Sequence, residues 1–437
     1  MIGNTRITQA MKNKMAELEN PFYLYDQETI LGQIRRLHRD FPDFEFLYSI
    51  KTNPFLPVVK TILGEGLGLD AASLREVEIG VEYGLPKEKI LYSAPGKTER
   101  DLRGAMDHAI LIADSLHELE LINKLAGEKG VKLGVGVRVN PDFTMDADHG
   151  AAGKFGIDED QLFAYDFAKL PNIELIGIHV HARSQELHVE VLKKYYANMF
   201  ALAQKCIDKL GMKMEFINMG GGIGVAYSTE NDTDLDTAAL GAESAAMLAE
   251  LRQKLGGVRV IIETGRYAVC TAGYYVTKVV DVKESYGTKF VMVQSTLNGF
   301  IRPSLARLIA AYLPEGAVAK GNEPLFTKMD AFDFELLTDE AASEKVNLVG
   351  NLCTGTDIMA AGITLPKAKV GDILAITKAG SYAYVLTPVQ FSSQPAPGQF
   401  LLCAGDLIII FLQIINIFIA VLFNTVDNDF DFLFIGA

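Results

Sequence analysis

Between residues 44 and 266 the chain alternates short β-branched or aliphatic runs with longer stretches whose apolar residues recur at helical spacing, the rhythm of repeated βα units. Eight runs read as strands: 44–51, 68–73, 89–93, 108–114, 133–140, 175–181, 214–219 and 258–263. Eight such units in this length predict an α/β fold closed as a (β/α)8 barrel, with its active site at the carboxyl ends of the strands. A doubly wound open sheet is the alternative, but it would not gather so many strand ends around one centre. Lys51, Asp70, Arg138, His181, the glycines after Met219 and Glu263 all fall at those ends.

After Arg266 the pattern changes to strands without long helices between them, at 274–282, 289–295, 346–352 and 372–377, which predicts a second, mostly β domain. Residues 22–25 read as a first strand that joins it. The expected division is a barrel over 28–266 and a β domain built from 1–27 and 267–402. The remainder, 403–437, is an apolar tail whose run 407–423 is borderline in length for crossing about 30 Å of hydrocarbon. No Lys or Arg follows Lys378, so no basic flank would orient a span. A membrane anchor is not favoured, and an extra buried helix or a foreign end fits the tail as well.

Composition narrows the function. The 437 residues, 49% of them apolar, supply core for two domains. A formal charge of −14 without any basic cluster argues against nucleic acid and for a small-molecule substrate. Cys206, Cys270, Cys353 and Cys403 lack paired short spacings, and the polar stretch through Asn20 has no run of signal-peptide length. Reduced thiols in a cytoplasm are expected.

The candidate chemistry begins with Tyr48-Ser49-Ile50-Lys51-Thr52-Asn53-Pro54, which puts one lysine at the end of an apolar strand just before a turn. Desolvation there is expected to lower the proton affinity of the amine and free it to attack an aldehyde, as in Schiff-base formation. A snorkelling surface lysine is the plainer account of Lys51 taken alone. Gly220-Gly221-Gly222-Ile223-Gly224 follows a strand; its N–H groups can converge on phosphate, and a helix start beyond would add its dipole. In Glu263-Thr264-Gly265-Arg266 the carboxylate can keep a pyridine nitrogen protonated, making the ring an electron sink, while the arginine closes on phosphate. His179-Val180-His181-Ala182-Arg183-Ser184-Gln185 places two imidazoles on one strand face. Zinc would need a third ligand that no spacing supplies, so no metal is expected, and His181 is read as a ring-stacking group with Ser184 as a phosphate donor. A lysine, a phosphate cradle, a pyridinium carboxylate and a stacking histidine on one barrel face specify pyridoxal 5'-phosphate.

With these motifs the chain resembles the fold-type III pyridoxal-phosphate decarboxylases, the diaminopimelate and ornithine decarboxylase family, over roughly residues 21–400. The resemblance implies an alanine-racemase-like barrel with a β-sandwich or barrel domain, and Lys51 as the lysine that carries the cofactor. It implies that Asp70, Ser73 and Glu76 form the D-x-A-S-x-x-E strand supporting it, with Arg138-Val139-Asn140-Pro141 and Lys154-Phe155-Gly156 as middle barrel loops. His181 would stack on the ring, Glu263 would pair with the pyridine nitrogen, and Ser184, Gly220, Gly221, Gly222, Arg266 and Tyr382 would hold phosphate. Asn351-Leu352-Cys353-Thr354-Gly355-Thr356-Asp357 matches the family's C-x-x-x-D loop, which reaches into the partner's site in a head-to-tail homodimer. On that likeness Cys353 returns a proton to Cα after carbon dioxide leaves.

Two positions depart from the lysine-forming enzymes. Thr354 stands where they carry an acid for the distal amine, and Arg302-Pro303-Ser304-Leu305-Ala306 keeps the arginine of R-P-x-L-Y but not its tyrosine. Arg302 suggests a distal carboxylate on the substrate, and losing the acid argues against a free distal ammonium, because an unpaired buried charge is costly. Arg302, Thr354 and Asp357 are the expected substrate-binding residues. The segment Thr387-Pro388-Val389-Gln390-Phe391-Ser392-Ser393-Gln394 resembles the branch that acts on conjugated amino acids in siderophore and other secondary pathways. Arg183 stands where glycine is usual and would bind phosphate or substrate, and Asn218 replaces an acid before the glycines.

The expected activity is decarboxylation of diaminopimelate or a related carboxyl-bearing diamino acid, including one with a D-amino centre, or of a conjugated amino acid. Racemization is the nearest rival, but that branch pairs the pyridine nitrogen with arginine, where this chain has Glu263. Cys353 and Tyr382 argue against a non-catalytic single-barrel cofactor-binding protein.

Overall fold

The computed structural model describes residues 7–19, 21–228, 231–312, 314, 331–403 and 406–408. Strand β1 (Phe22–Asp26) precedes the barrel in sequence but pairs outside it. The barrel comprises β2 (Glu45–Ser49), β3 (Gly68–Ala71), β4 (Ile90–Ser93), β5 (Ile110–Ala113) and β6 (Leu133–Asn140), then, past the two-residue β7 (Ile157–Asp158) that pairs with β6, β8 (Ile173–His179), β9 (Phe216–Asn218) and β10 (Arg259–Thr264). Neighbours pair in parallel in that order, and β10 returns to β2 with Thr264 opposite Tyr48, so the ring closes. The eight expected strands are these eight, most of them shorter than expected, with β8 shifted towards the amino terminus and β10 towards the carboxyl terminus.

The barrel is a packed core rather than a pore. Leu47, Leu91, Ile110, Ile112, Phe216 and Ile261 form a buried cluster within it. Glycines on two strands make room for the central ring: a Cβ on Gly177 would lie 2.4 Å from Phe216, and one on Gly136 2.7 Å. Such contacts would force the phenyl out, which is why a glycine in a strand marks a close approach. Outside the ring, helices start on side-chain caps, as where Ser73 and Ser115 accept the N–H groups of Glu76 and Glu118.

The second sheet holds β1, β11 (Gly273–Ser285), β12 (Thr288–Val293), β13 (Phe334–Leu337), β14 (Ser343–Gly350), β15 (Ile358–Pro366), β16 (Ile373–Ile376), β17 (Gly398–Cys403) and β18 (Asp406–Ile408). Strand β1 lies between β11, antiparallel, and β17, parallel, which is how the early segment 22–25 joins the later chain. Strands β13, β15, β17 and β18 were not expected from the pattern. A left-handed glycine, Gly362, interrupts β15, and Pro366 ends it, which obscures its alternation.

The two sheets meet at the lysine turn. Tyr382 donates its N–H to Thr52 O (3.0 Å), and Asn53 Nδ2 donates to Gly380 O (2.9 Å). Among the described residues no helix is long and apolar enough to cross a membrane. Most of the apolar run 407–423 lies outside the described residues.

Candidate active site

Lys51 sits in the 3-10 turn Ile50–Thr52 that follows β2. Thr52 Oγ1 donates to Ser49 O (2.7 Å) and tightens the turn. Gly265, at the end of β10, packs against it so closely that a Cβ would lie 2.2 Å from Oγ1, so only glycine fits there. The Lys51 amine donates to Asp70 Oδ2 (3.1 Å), which also accepts Ser49 Oγ (2.7 Å). Enclosure alone would lower the proton affinity of the amine, but the charges of Asp70 and Glu263 outweigh it and hold Lys51 above the ordinary lysine range. The expectation that desolvation frees the amine is therefore corrected. The strand ends around Lys51 bring counter-charges with them, and the lysine, its side chain 42% exposed, waits as an ammonium ion paired with Asp70.

Glu263 lies across the cavity floor, 4% exposed. Asn218 Nδ2 donates to its Oε1 (2.9 Å), and His179 Nε2 lies 3.1 Å from the same oxygen. Burial would raise the proton affinity of Glu263, but His179 and Lys51 reverse the balance and keep it well below the carboxylate range. The two histidines part company. His179 ends β8 and turns to Glu263 and Ser93, with Nδ1 3.1 Å from Ser93 Oγ. His181 lies past the strand end, where Gly221 donates its N–H to Nδ1 (3.0 Å). Burial pushes the His181 imidazole down to about 3, although Glu263 opposes this, so it is a neutral ring. Neither Asn218 nor His179 had been assigned this contact from sequence. The H-x-H spacing was visible, but the facing strands decide which histidine turns which way.

On the phosphate side, the glycine turn takes left-handed or near-extended angles at Gly220 (φ 66°) and Gly222 (φ 158°). A Cβ on Gly220 would meet Val180 O at 2.3 Å, and one on Gly222 would meet Leu192 at 2.9 Å. No helix starts at the turn, contrary to expectation; the next begins at Thr237. The positive end is supplied instead by Arg266, whose guanidinium lies 5.0 Å over the Tyr382 ring and donates to Tyr227 Oη. Tyr382 takes a left-handed φ of 49°, a strained position at the cavity wall. Glu186 N–H to Gly222 O (2.9 Å) and Gly224 N–H to Glu186 O (3.0 Å) lay the loop containing Ser184 beside the glycines.

These groups enclose a cavity of about 610 Å³ lined by Lys51, Arg138, His181, Ser184, Gly221, Gly222, Glu263, Arg266 and Tyr382. Asp70 lies just below, on the lysine, and Gly220 behind the histidine. Arg138 rests 4.2 Å over the Phe155 ring and 3.6 Å from Asp114, which also accepts the Gly156 N–H (3.2 Å). Glu76 joins the lining, and burial pushes its carboxyl up to about 7.

The remaining predicted residues are not brought to this cavity. Arg302 is fully buried: Nη1 donates to Tyr227 Oη (3.2 Å) and Ser381 O (3.1 Å), and the guanidinium lies 5.2 Å from the Tyr227 ring and 5.3 Å from the Phe332 ring. Cys353 is a free, exposed thiol in the turn after β14, and the Thr354 hydroxyl lies 2.9 Å from that of Thr356 within the same turn. Asp357 is buried beneath that turn, accepting the N–H groups of Leu352 (2.9 Å) and Leu297 (3.3 Å). Arg183 pairs outward with Asp146 (2.5 Å) and Glu186 and does not line the cavity.

The donor set suits pyridoxal phosphate: an amine, an anion receptor of glycines, serine and arginine across the cavity from it, and a low carboxylate between. The glycine turn is open where any Cβ would close it. Residues 27–270 match the family model for the pyridoxal-binding domain of pyridoxal-dependent decarboxylases. The chain is 28% identical over 407 residues to diaminopimelate decarboxylase of Aquifex aeolicus, covering 91% of this chain and 90% of that protein. It is 30% identical over 393 residues to L-glutamyl-[BtrI acyl-carrier protein] decarboxylase of Niallia circulans, covering 88% and 89%. Its fold superposes on the crystal structure of Helicobacter pylori diaminopimelate decarboxylase complexed with L-lysine, at a TM-score of 0.76 and 23% identity, over 91% of this chain and 95% of that one. The chain thus belongs to the pyridoxal-dependent decarboxylases and is a pyridoxal-phosphate-dependent amino-acid decarboxylase of the diaminopimelate and ornithine class.

Proposed function

We propose that the substrate is a carboxyl-bearing amino acid whose distal end is conjugated rather than a free ammonium. The observation that carries this reading is Arg302. The arginine retained from the distal-carboxylate motif is fully buried in a cage of Tyr227, Phe332 and Ser381. Around the cavity, Pro54, Ala94, Pro95, Ile223, Val385 and Leu386 provide apolar lining, which suits a neutral linker leaving the site. The Niallia circulans relative, named for a carrier-bound glutamyl substrate, supports a conjugate. Diaminopimelate itself is the second reading, favoured by the Aquifex aeolicus relative.

Bound in the cavity, pyridoxal phosphate supplies an electrophilic aldehyde carbon and a ring that accepts the electron pair left at Cα when carbon dioxide departs. Lys51 would hold the cofactor through its aldehyde carbon, with Asp70 as its charge partner. Glu263 would keep the ring nitrogen protonated, His181 would pack against the ring, and Ser184, the glycines, Arg266 and Tyr382 would hold the phosphate. Cys353 donates the proton that replaces the lost carboxylate. It does so in a neighbouring subunit of a homodimer, with Thr354 beside the distal end of the substrate and Asp357 shaping the loop. The four free cysteines support a reducing, cytoplasmic setting.

The deciding measurement is carbon dioxide release from meso-diaminopimelate and from an amide-linked, carboxyl-bearing conjugate of a diamino acid, with pyridoxal phosphate supplied. Turnover of the conjugate with little release from diaminopimelate is expected. Rapid formation of lysine would establish the second reading.

A further inference from the structure

Asn218 stands before the glycine turn and is fully buried. Its Oδ1 accepts the Gly220 N–H (2.9 Å), so its amide nitrogen must be the end that meets Glu263 Oε1 (2.9 Å). His179, 2% exposed, approaches the same oxygen from β8 at 3.1 Å, with its other ring nitrogen against Ser93 Oγ on β4. A hydroxyl proton given to Nδ1 leaves the ring proton on Nε2, facing the carboxylate. Two strands therefore converge on one oxygen of a carboxylate carried by a third, and β4 backs one of them through Ser93.

We propose that Asn218 and His179 are positioning residues that clamp Oε1 of Glu263, leaving Oε2, ionised, to face the cofactor's ring nitrogen. The proposal rests on the assignment of Glu263 to that nitrogen. Among the described residues, the charged or titratable groups facing Glu263 include His179 and His181 from the end of β8, Lys51 from beyond β2, Asp70 from β3 and the Tyr195 phenol from the helix Val189–Leu210. Among them Asp70 repels the carboxylate, and Lys51 is already shared with Asp70. An uncharged donor at 218 adds a hydrogen bond without adding a second anion. An aspartate there would set two acceptor oxygens against each other, and such a pair holds a proton between them.

The test follows the isotopically labelled ring nitrogen of bound pyridoxal phosphate by NMR across the pH range in which the holoenzyme stays folded. The variants are Glu263→Gln, Asn218→Leu, Asn218→Asp and His179→Gln. Glu263→Gln is expected to shift the resonance toward that of the unprotonated ring; if it does not, the assignment of Glu263 itself is wrong. Given that shift, Asn218→Leu is expected to move the resonance part of the way, and Asn218→Asp to introduce a pH-dependent step absent from the wild type. His179→Gln, which keeps a donor, is expected to retain more of the wild-type shift than Asn218→Leu. A wild-type resonance and flat pH profile in both Asn218 variants would overturn the proposal, and Asn218→Asp decides alone if Asn218→Leu does not fold.

Discussion

The floor of the barrel and the turn after β14 hold the two halves of the proposed chemistry, and they are built in opposite ways. On the floor, pairing register fixes the geometry: Ser49 stands opposite Asp70 across β2 and β3, and Thr264 opposite Tyr48 across β10 and β2. Lys51, Asp70, Glu263 and His179 meet there because parallel strands must end side by side, and the burial of Asp70, Glu263 and His179 makes each group depend on its neighbours. The β14 turn exposes Cys353 at its surface and spends its buried acid, Asp357, on N–H groups of the turn itself and of the segment after β12. A closed barrel can thus assemble a cofactor site within one chain. The proposed proton donor, Cys353, lies outside that enclosure, and under the proposed function it needs a second surface to complete it.

The largest expected effect falls on the floor. Lys51→Ala should lower carbon dioxide release by roughly 10⁴-fold or more and abolish the absorbance of lysine-bound cofactor, since among the described residues no other amine pairs with Asp70. Retained turnover would show that Lys51 is not the cofactor lysine. Cys353→Ala should be milder, about 10²- to 10³-fold, with altered stereochemistry at Cα and unchanged cofactor absorbance. Mixing the two inactive variants sharpens the contrast. If the halves come from different subunits, mixed dimers regain one intact site and the mixture recovers activity, up to about a quarter of wild type for random pairing. A mixture that stays inactive after subunit exchange would place Cys353 outside the partner's site.

The same contrast decides what could be read from sequence. Period and turn residues were enough for the eight barrel strands, and strand ends for Lys51, Arg138, Glu263 and Arg266, because in this architecture position along a strand is position in the site. Three features were not legible. Whether Lys51 is charged depends on Asp70 arriving 3.1 Å away, which desolvation at one position cannot reveal. The pairing of His179 with Glu263 depends on Ser93 and Asn218 from two other strands. Arg302 reads as a cavity residue by motif, yet Tyr227, far from it in sequence, takes its guanidinium. The helix expected after the glycines was an inference by analogy with phosphate loops, and here Arg266 takes that electrostatic role.

Burial of the floor also predicts where its stability depends on pH. Glu76 follows the cap Ser73 and reaches back to accept the Ala72 N–H (2.6 Å), and burial pushes its carboxyl up to about 7, the hydrogen bond opposing only in part. In the unfolded chain the same carboxyl titrates near its ordinary value, about 4.3. Between those two values the folded protein holds a proton that the unfolded chain has released, so stability falls as pH rises through this window, and the loss is complete above it. The cost at higher pH is on the order of 3 kcal/mol. Glu76→Gln keeps an acceptor for Ala72 and removes the charge. The cofactor-free variant should therefore exceed the wild type in unfolding free energy by up to that amount above neutral pH and match it near about pH 4. Denaturant titrations of both proteins across this range check the prediction. Parallel curves would mean that Glu76 meets enough water to ionise at little cost, and that the floor is less enclosed at its Glu76 edge than at Glu263.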